Sequence, residues 1–472
     1  MQGLELINEG LPTREVRQEF KMLRDEYAYK AVSRHASVAD MREIDGWARS
    51  FYTLEGHLES IAQYHKPLLP EPRSYYWLEA KRIVLDEVAH AFPPVRSFRF
   101  ERDFDLVPIE ASSAAGYGYQ GKKGEANNFK RAKNIANALV RTFAEHKAES
   151  GEQFARDHVI NNSTPDVAFT RTQLAKLPTI KVRNVFGEAF HYILIEGLSA
   201  SPLLEGFKRA DTFYVTGKDP TSYVPKYLYQ QQQQPGWFIA LDWSKFDATV
   251  QLWEIDHAFN CIEQLLIFPS DLTREAFEVS KILFKHRKLS SPDGLMWMRN
   301  SGIPSGSYFT NLIGSIINYT RVQYLCRTMG YTITSCRVQG DDSIIKVTSD
   351  AKPNVLAMAS TVAELGWVLN PTKCVVTLNS EEVTFLGRSQ LQLFNIRERL
   401  KILRLMSFPE FEVDDPKIST TRVRMIARDA GFRDPLYNKI VFEMIALYGE
   451  ADYVPRHLLS YVDLIDWQDV NM

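Results

Sequence analysis

Arg337-Val338-Gln339-Gly340-Asp341-Asp342-Ser343-Ile344-Ile345-Lys346 is the stretch on which the fold turns. Strand-forming apolar residues run up to Gly340 and resume after Asp342, which predicts a tight hairpin with two carboxylates at its tip. Mg²⁺ and Mn²⁺ prefer oxygen ligands, and Mg²⁺ usually takes one or two protein carboxylates plus substrate phosphates. A Gly-Asp-Asp tripeptide arises by chance in roughly one chain in ten of this length, and an acidic surface turn is the plain alternative. A second carboxylate built to share the same cations would separate the two.

Trp237-Phe238-Ile239-Ala240-Leu241-Asp242-Trp243 supplies one. An apolar run broken by a single acid is the pattern of a buried central strand with Asp242 at its end, and a buried carboxylate implies a metal or cationic partner. Asp247 follows five residues later, ahead of a helical pattern over 248–266, where it reads equally as that helix's N-cap. Between the two acidic sites lies Ser301-Gly302-Ile303-Pro304-Ser305-Gly306-Ser307-Tyr308-Phe309-Thr310-Asn311, a small, flexible loop opening into a helix that continues through 317. Backbone amides and hydroxyls at a helix start suit phosphate and sugar contacts; a serine-rich cap is the bland alternative.

The rest of the chain is of ordinary globular composition: 472 residues, 45% hydrophobic, formal net charge −2. Such a chain buries a large core and divides into subdomains, and any nucleic-acid contact must come from local basic lining. Cys261, Cys326, Cys336 and Cys374 lack metal-site spacing and read as reduced core thiols. No apolar run approaches the roughly 20 residues of a membrane span, and residues 1–10 lack the order of a signal peptide, so the expectation is a cytosolic or particle-internal protein without a membrane partner.

In chain order, residues 1–100 read as a helical extension with helices near 14–29, 38–64 and 75–92. Ser112-Ser113-Ala114-Ala115-Gly116-Tyr117-Gly118-Tyr119-Gln120-Gly121-Lys122-Lys123-Gly124 suits a loop gripping a nucleic-acid backbone, or a flexible linker. Lys181 and Arg183 flank Val182, so a strand would aim both cations to one side, toward a triphosphate or toward solvent. Lys281, Lys285, His286, Arg287 and Lys288 form a dense basic patch before the Ser291-Pro292-Asp293-Gly294 turn. Further on come a helix over 353–365 closed by Gly366, a turn at Asn370-Pro371-Thr372-Lys373, and a short strand Phe385-Leu386-Gly387-Arg388.

A strand end at Asp242 and a hairpin tip at Asp341 and Asp342 are parts of a nucleotidyl-transfer site, where two cations about 4 Å apart activate a 3′-hydroxyl and stabilise leaving pyrophosphate. Residues 236–250, 300–319, 335–347, 364–376 and 383–389 resemble, in order and spacing, the palm motifs of viral RNA-dependent RNA polymerases. Asp242-Trp243-Ser244-Lys245-Phe246-Asp247 and Ser305-Gly306-Ser307-Tyr308-Phe309-Thr310 are similar to those of partitiviruses, segmented double-stranded RNA viruses.

The resemblance implies an α+β right hand: an N-terminal helical extension at 1–100, fingers at 101–235 and 271–299, a palm with an antiparallel sheet over helices at 236–270 and 300–395, and a helical thumb at 396–472. It makes Asp242 and Asp341 ligands of Mg²⁺ (or Mn²⁺) with Asp342 supporting them, and Lys373 a general acid near pyrophosphate. Lys181 and Arg183 would hold the triphosphate, while Asp247, Ser305 and Thr310, with Asn311 nearby, would read the ribose. RNA-facing residues would be Ser113, Gly116, Lys122 and Lys123 in the glycine-rich loop, Lys285 and Arg287 in the basic patch, Gly306, and Gly387 and Arg388 at the primer end. Template RNA, nascent RNA and ribonucleoside triphosphates would be its partners, with a viral capsid protein, inside the virion and in the host cytoplasm. The sequence departs from the family at Gly314, where many members carry asparagine; Asn311 and Asn318 are the nearby candidates for a ribose partner. A reverse transcriptase shares the palm but generally has an aromatic gate where Asp247 stands. A non-catalytic RNA-binding capsid protein would explain basic patches but not Asp242 with the Gly-Asp-Asp tip.

Overall fold

The computed structural model describes residues 2–9, 23–125, 127–455 and 458. At its centre is a four-stranded antiparallel sheet in the order Thr332–Gln339, Asp342–Thr348, Trp237–Ala240, Val375–Thr377. Phe238 and Ile239 on the third strand are fully buried, because both faces of the sheet are covered. Ile345 and Val376 flank Ile239 in register. Behind the sheet pack the helices Thr310–Thr328, Leu252–Glu263 and Tyr75–Ala89, joined in one core through Trp77, Trp367 and Ile316. Each aliphatic or Phe side chain fully buried there contributes roughly 1.5–3 kcal/mol. Thr310–Thr328 is buried on every face from Leu312 to Cys326, so its position against the sheet is fixed.

A second sheet runs in the order Leu4–Glu9, Leu295–Arg299, Arg287–Ser290, Asp166–Thr172, Val182–Gly187, and the helices Asn128–Ser150, Phe190–Arg209 and Asp271–Lys285 share a core of their own. The helices Arg399–Ser407, Pro416–Asp429 and Pro435–Tyr448 share a C-terminal helical core. No helix among the described residues is long and apolar enough to cross a membrane.

The described residues within 1–100 pack on different parts of the body, and not all of them are helical. Leu4–Glu9 is the edge strand of the five-stranded sheet, paired with Leu295–Arg299. Helix Glu26–His35 belongs to the C-terminal helical core, where its N-cap Asp25, fully buried, accepts from Ser419 Oγ at 2.7 Å and Arg422 Nη2 at 2.8 Å. Of the helix expected over 14–29, residues 14–22 lie outside the described residues. The helix expected over 38–64 divides into Val38–Asp45 and Leu54–Ala62, since Trp47–Arg49 pairs as a strand with Leu174–Lys176. That pairing is long-range, and periodicity carries no trace of it.

Candidate active site

The hairpin forms where the sequence places it. Gln339 pairs with Asp342, leaving Gly340-Asp341 as a two-residue turn with Gly340 at φ +60, a conformation glycine adopts without strain. Helix Thr310–Thr328 holds this turn with one face. Asn311, Ser315 and Asn318 stand at i, i+4 and i+7. Ser315 Oγ accepts from Gly340 N at 2.8 Å, and Asn318 Nδ2 donates to the carbonyls of Gly340 and Asp342 at 3.0 and 3.3 Å. A Cβ on Gly340 would come within 3.5 Å of Asn311 Nδ2. Asn311 Oδ1 accepts from Tyr214 OH at 2.8 Å, and Asn318 Oδ1 from Trp243 Nε1 at 2.8 Å. Ser315 and Asn318 therefore hold the turn, while Asn311 is engaged by Tyr214. The family's asparagine position, Gly314, faces Ile303 and Phe246.

Asp242 lies just past the Trp237–Ala240 strand, half-buried beside the tip. Its backbone is bracketed by the 370–374 turn: Asn370 N donates to Asp242 O at 3.0 Å, and Asp242 N donates to Cys374 Sγ at 3.3 Å. Lys373, exposed, sits on that turn. Underneath, the buried Arg321 makes a two-pronged pair with Glu254, at 2.6 and 2.9 Å, and stacks on Trp243, Phe246 and Trp367.

Asp341 is open to solvent but recessed in the cleft, and desolvation, with the charge of Asp242 nearby, raises its carboxyl above the usual range. Among the described residues, no cationic side chain comes within ion-pair distance of Asp242 or Asp341, and no group of three or more His, Cys, Asp or Glu forms a ready-made metal cluster. Two neighbouring carboxylates lacking a protein counter-ion fit a hard divalent cation whose shell is completed by phosphates and water. Asp342 turns the other way. Its Oδ2 accepts from Leu386 N at 2.7 Å, and burial with the neighbouring Asp341 pushes its carboxyl to about 7.

Arg183 is exposed and Val182 buried, the expected alternation, with Lys181 exposed just ahead of the strand. Arg183 Nη2 lies 3.4 Å from Asp247 Oδ2. Burial, with the charge of Asp341, lifts Asp247 to about 6 against the pull of Arg183. Asp247 is inside the short helix Phe246–Thr249, whose N-cap is Lys245, so the N-cap alternative fails. Ser305 Oγ accepts from Phe186 N at 2.9 Å, on the strand of Arg183, and Thr310 Oγ1 donates to Pro304 O. A Cβ on Gly306 would collide with Phe186 O, so packing against the Val182–Gly187 strand explains that glycine.

The glycine-rich loop is ordered. Lys123 N donates to Ser113 O at 2.9 Å, Lys123 Nζ to Ser113 Oγ at 2.6 Å, and Gly116, at φ +89, packs on the backbone of Glu188 and Ala189. Lys122 remains exposed.

Three expected RNA contacts are corrected. Arg287 is 1% exposed, paired inside the protein with Asp166, Glu188 and Glu196. Lys285 Nζ pairs with Asp256 at 2.6 Å and is largely covered. Arg388 is buried against Asp429, and residues 385–388 are a tight turn, with Phe385 and Arg388 exchanging both backbone bonds, instead of a strand. Local charge density cannot tell a solvent-facing cation from one neutralised by distant acids. Gly387 is approached by Arg397 and Lys401, which the sequence reading missed because no motif marks them.

The fold and the carboxylate cleft define a right-hand nucleic-acid polymerase. The solved RNA-dependent RNA polymerase of a sicinivirus superposes with a TM-score of 0.70 over 97% of this chain and 98% of that one, at 15% identity, which speaks to fold. The chain belongs to the viral RNA-dependent RNA polymerase family, whose sequence profile matches residues 23–445. It is 37% identical over 113 residues to the RNA-directed RNA polymerase of Cryptosporidium parvum virus 1 (strain KSU-1), covering 22% of this chain and 20% of that protein. It is 23% identical over 304 residues to the RNA-directed RNA polymerase of Atkinsonella hypoxylon virus (isolate 2H), covering 53% and 46%. The matched segments thus span less than half the length of these curated relatives.

Proposed function

We propose that this chain copies an RNA template into RNA from ribonucleoside triphosphates, and so replicates and transcribes a viral RNA genome by two-metal-ion nucleotidyl transfer. The observation that carries the reading is that Asp242, just past one strand, and Asp341, in the hairpin turn, share one cleft with no cationic side chain within ion-pair distance among the described residues, beside the Arg183–Asp247 pair. Held by Asp242 and Asp341, Mg²⁺ or Mn²⁺ would supply Lewis-acid activation of the primer hydroxyl and offset charge on the departing pyrophosphate.

The chain's own residues do the rest. Lys181 and Arg183 bind the triphosphate from the fingers strand, where a guanidinium suits phosphate oxygens. As Arg183 engages phosphate, Asp247 is released to accept from the ribose 2′-hydroxyl. Lys373 Nζ, on the turn fastened to Asp242, donates a proton to the leaving pyrophosphate oxygen. Asp342 holds the 385–388 turn against the catalytic hairpin and thereby sets where the primer end rests.

We further assign the fingers to 101–235 and 271–299, the palm to 236–270 and 300–395, and the thumb to 396–472, with the first 100 residues shared among them. Work in the host cytoplasm and inside a virion, beside a capsid protein, fits such an enzyme. A reverse transcriptase is disfavoured by the acid at Asp247. Purified protein incubated with single-stranded RNA, four ribonucleotides and Mg²⁺ or Mn²⁺, with and without primer, tests the proposal: labelled RNA complementary to the template is expected. Synthesis from deoxyribonucleotides alone, or none under any of these conditions, would overturn it.

A further inference from the structure

We infer that Glu196, paired with the buried Arg287, is a positioning residue for the 301–308 loop, and through that loop for the choice between ribose and deoxyribose. The inference rests on the polymerase reading above. Arg287 and Arg299 are opposite one another on paired strands, and both are about 1% exposed. They act as two internal posts for one loop. At its entrance, Arg299 Nη1 donates to Ser301 O at 3.1 Å and Gly302 O at 2.8 Å, while Nη2 donates to Phe284 O at 2.7 Å. At its exit, Glu196 Oε2 accepts from Ser307 Oγ and from Tyr308 N, each at 2.8 Å.

Glu196 is itself held. Arg287 Nη2 lies 3.5 Å from its Oε1, and the guanidinium stacks 4.5 Å above the Tyr192 ring while also pairing with Asp166 and Glu188. Burial raises the carboxyls of Glu188 and Glu196 against the pull of the Arg287 guanidinium. Arg287 thus gathers three buried acids, Asp166, Glu188 and Glu196, around one guanidinium.

Such a group is a poor way to gain stability, since well-packed apolar residues of similar volume are often as good or better. What it supplies is direction. Glu196 lies on a helix that is otherwise largely apolar and buried, and from there it reaches the loop exit. The middle of the loop, Ser305, is hydrogen-bonded to Phe186 on the strand that carries Arg183, and Arg183 contacts Asp247. Displacing the loop exit therefore shifts Ser305 and the strand that sets the Arg183–Asp247 pair.

Glu196→Gln tests this. The amide can still accept from the loop, but its NH₂ group would face the Arg287 guanidinium, donor against donor. In the full chain, amide hydrogen exchange over residues 301–309 is expected to quicken by roughly 10-fold or more, because the loop loses its exit post. The ribo-over-deoxyribonucleotide ratio of kcat/KM is expected to fall by about 10-fold. If Glu196→Gln does not fold, Ser307→Ala cuts only the loop side of the contact, and both readouts should move in the same direction by less. A folded variant with a lower melting temperature but unchanged exchange and unchanged ratio overturns the inference while leaving the polymerase reading intact. A wild-type protein that incorporates no nucleotide overturns that reading, and the inference with it.

Discussion

Asn318 Nδ2 donates to the backbone carbonyls of both Gly340 and Asp342, so one amide on a buried helix fixes the turn that aims Asp341. Its Oδ1 accepts from Trp243 Nε1, which ties the same amide to the segment carrying Asp242. The two carboxylates thus share a common support.

Asn318→Ala should leave two carbonyls and one indole N–H in the core without their partner, lowering stability by about 2–3 kcal/mol. Nucleotide incorporation should fall by at least 10-fold even where the variant is fully folded, because the aim of Asp341 is lost. Denaturant unfolding and single-nucleotide incorporation on one preparation check both. A destabilised variant with a wild-type rate would mean that the turn aims itself.

Asp247→Ala should lower the efficiency of ribonucleotide use far more than that of deoxyribonucleotides. A lost bond to a 2′-hydroxyl in a desolvated site is worth a few kcal/mol, or discrimination of roughly 10²-fold. Matched ribo- and deoxyribonucleotide incorporation decides; an unaltered ratio in folded protein means that Asp247 does not read the sugar.

Asp342 yields a pH prediction. Its folded value, about 7, lies above the ordinary aspartate value, so the folded state holds the proton more tightly than the unfolded chain. Ionising it costs stability: the cost is absent below about pH 4, grows as pH rises, and is complete above about pH 7. Asp342→Asn keeps an acceptor for Leu386 N and removes the charge. Relative to wild type, and in the presence of a chelator, it should gain roughly 2–4 kcal/mol at pH 8 and nothing near pH 4. Melting curves that differ by a constant offset across this range would refute the assignment.

Lys373→Leu should slow the chemical step by roughly 10²-fold with little change in nucleotide affinity, if its ammonium protonates pyrophosphate. Single-turnover kinetics separate the two parameters. An unchanged rate would make Lys373 a surface lysine.

How much was legible in the sequence depended on range. The hairpin at Gly340, the strand before Asp242 and the alternation at Lys181-Val182-Arg183 could be read because each signal is local and periodic. The fate of Arg287 and Arg388 could not, since what decides it is Asp166, Glu188, Glu196 and Asp429, remote in sequence and unmarked by any motif. The strand at Leu4–Glu9 and the packing of helix Glu26–His35 were hidden for the same reason: their partners lie nearly 300 and 400 residues away. Asn311 and Asn318 were visible as polar residues on a buried helix, but not that they face the hairpin.

The two-metal reading is tested most directly by single-turnover incorporation of one ribonucleotide on a primed RNA template in Mg²⁺, comparing wild type with Asp242→Asn and Asp341→Asn. Each substitution removes one anionic oxygen ligand and keeps the side-chain shape. The expected result is a loss of at least roughly 10³-fold in rate for both variants with unfolding midpoints at or above wild type. Incorporation near the wild-type rate by either variant would contradict the assignment of Asp242 and Asp341 as the carboxylates that hold the catalytic cations.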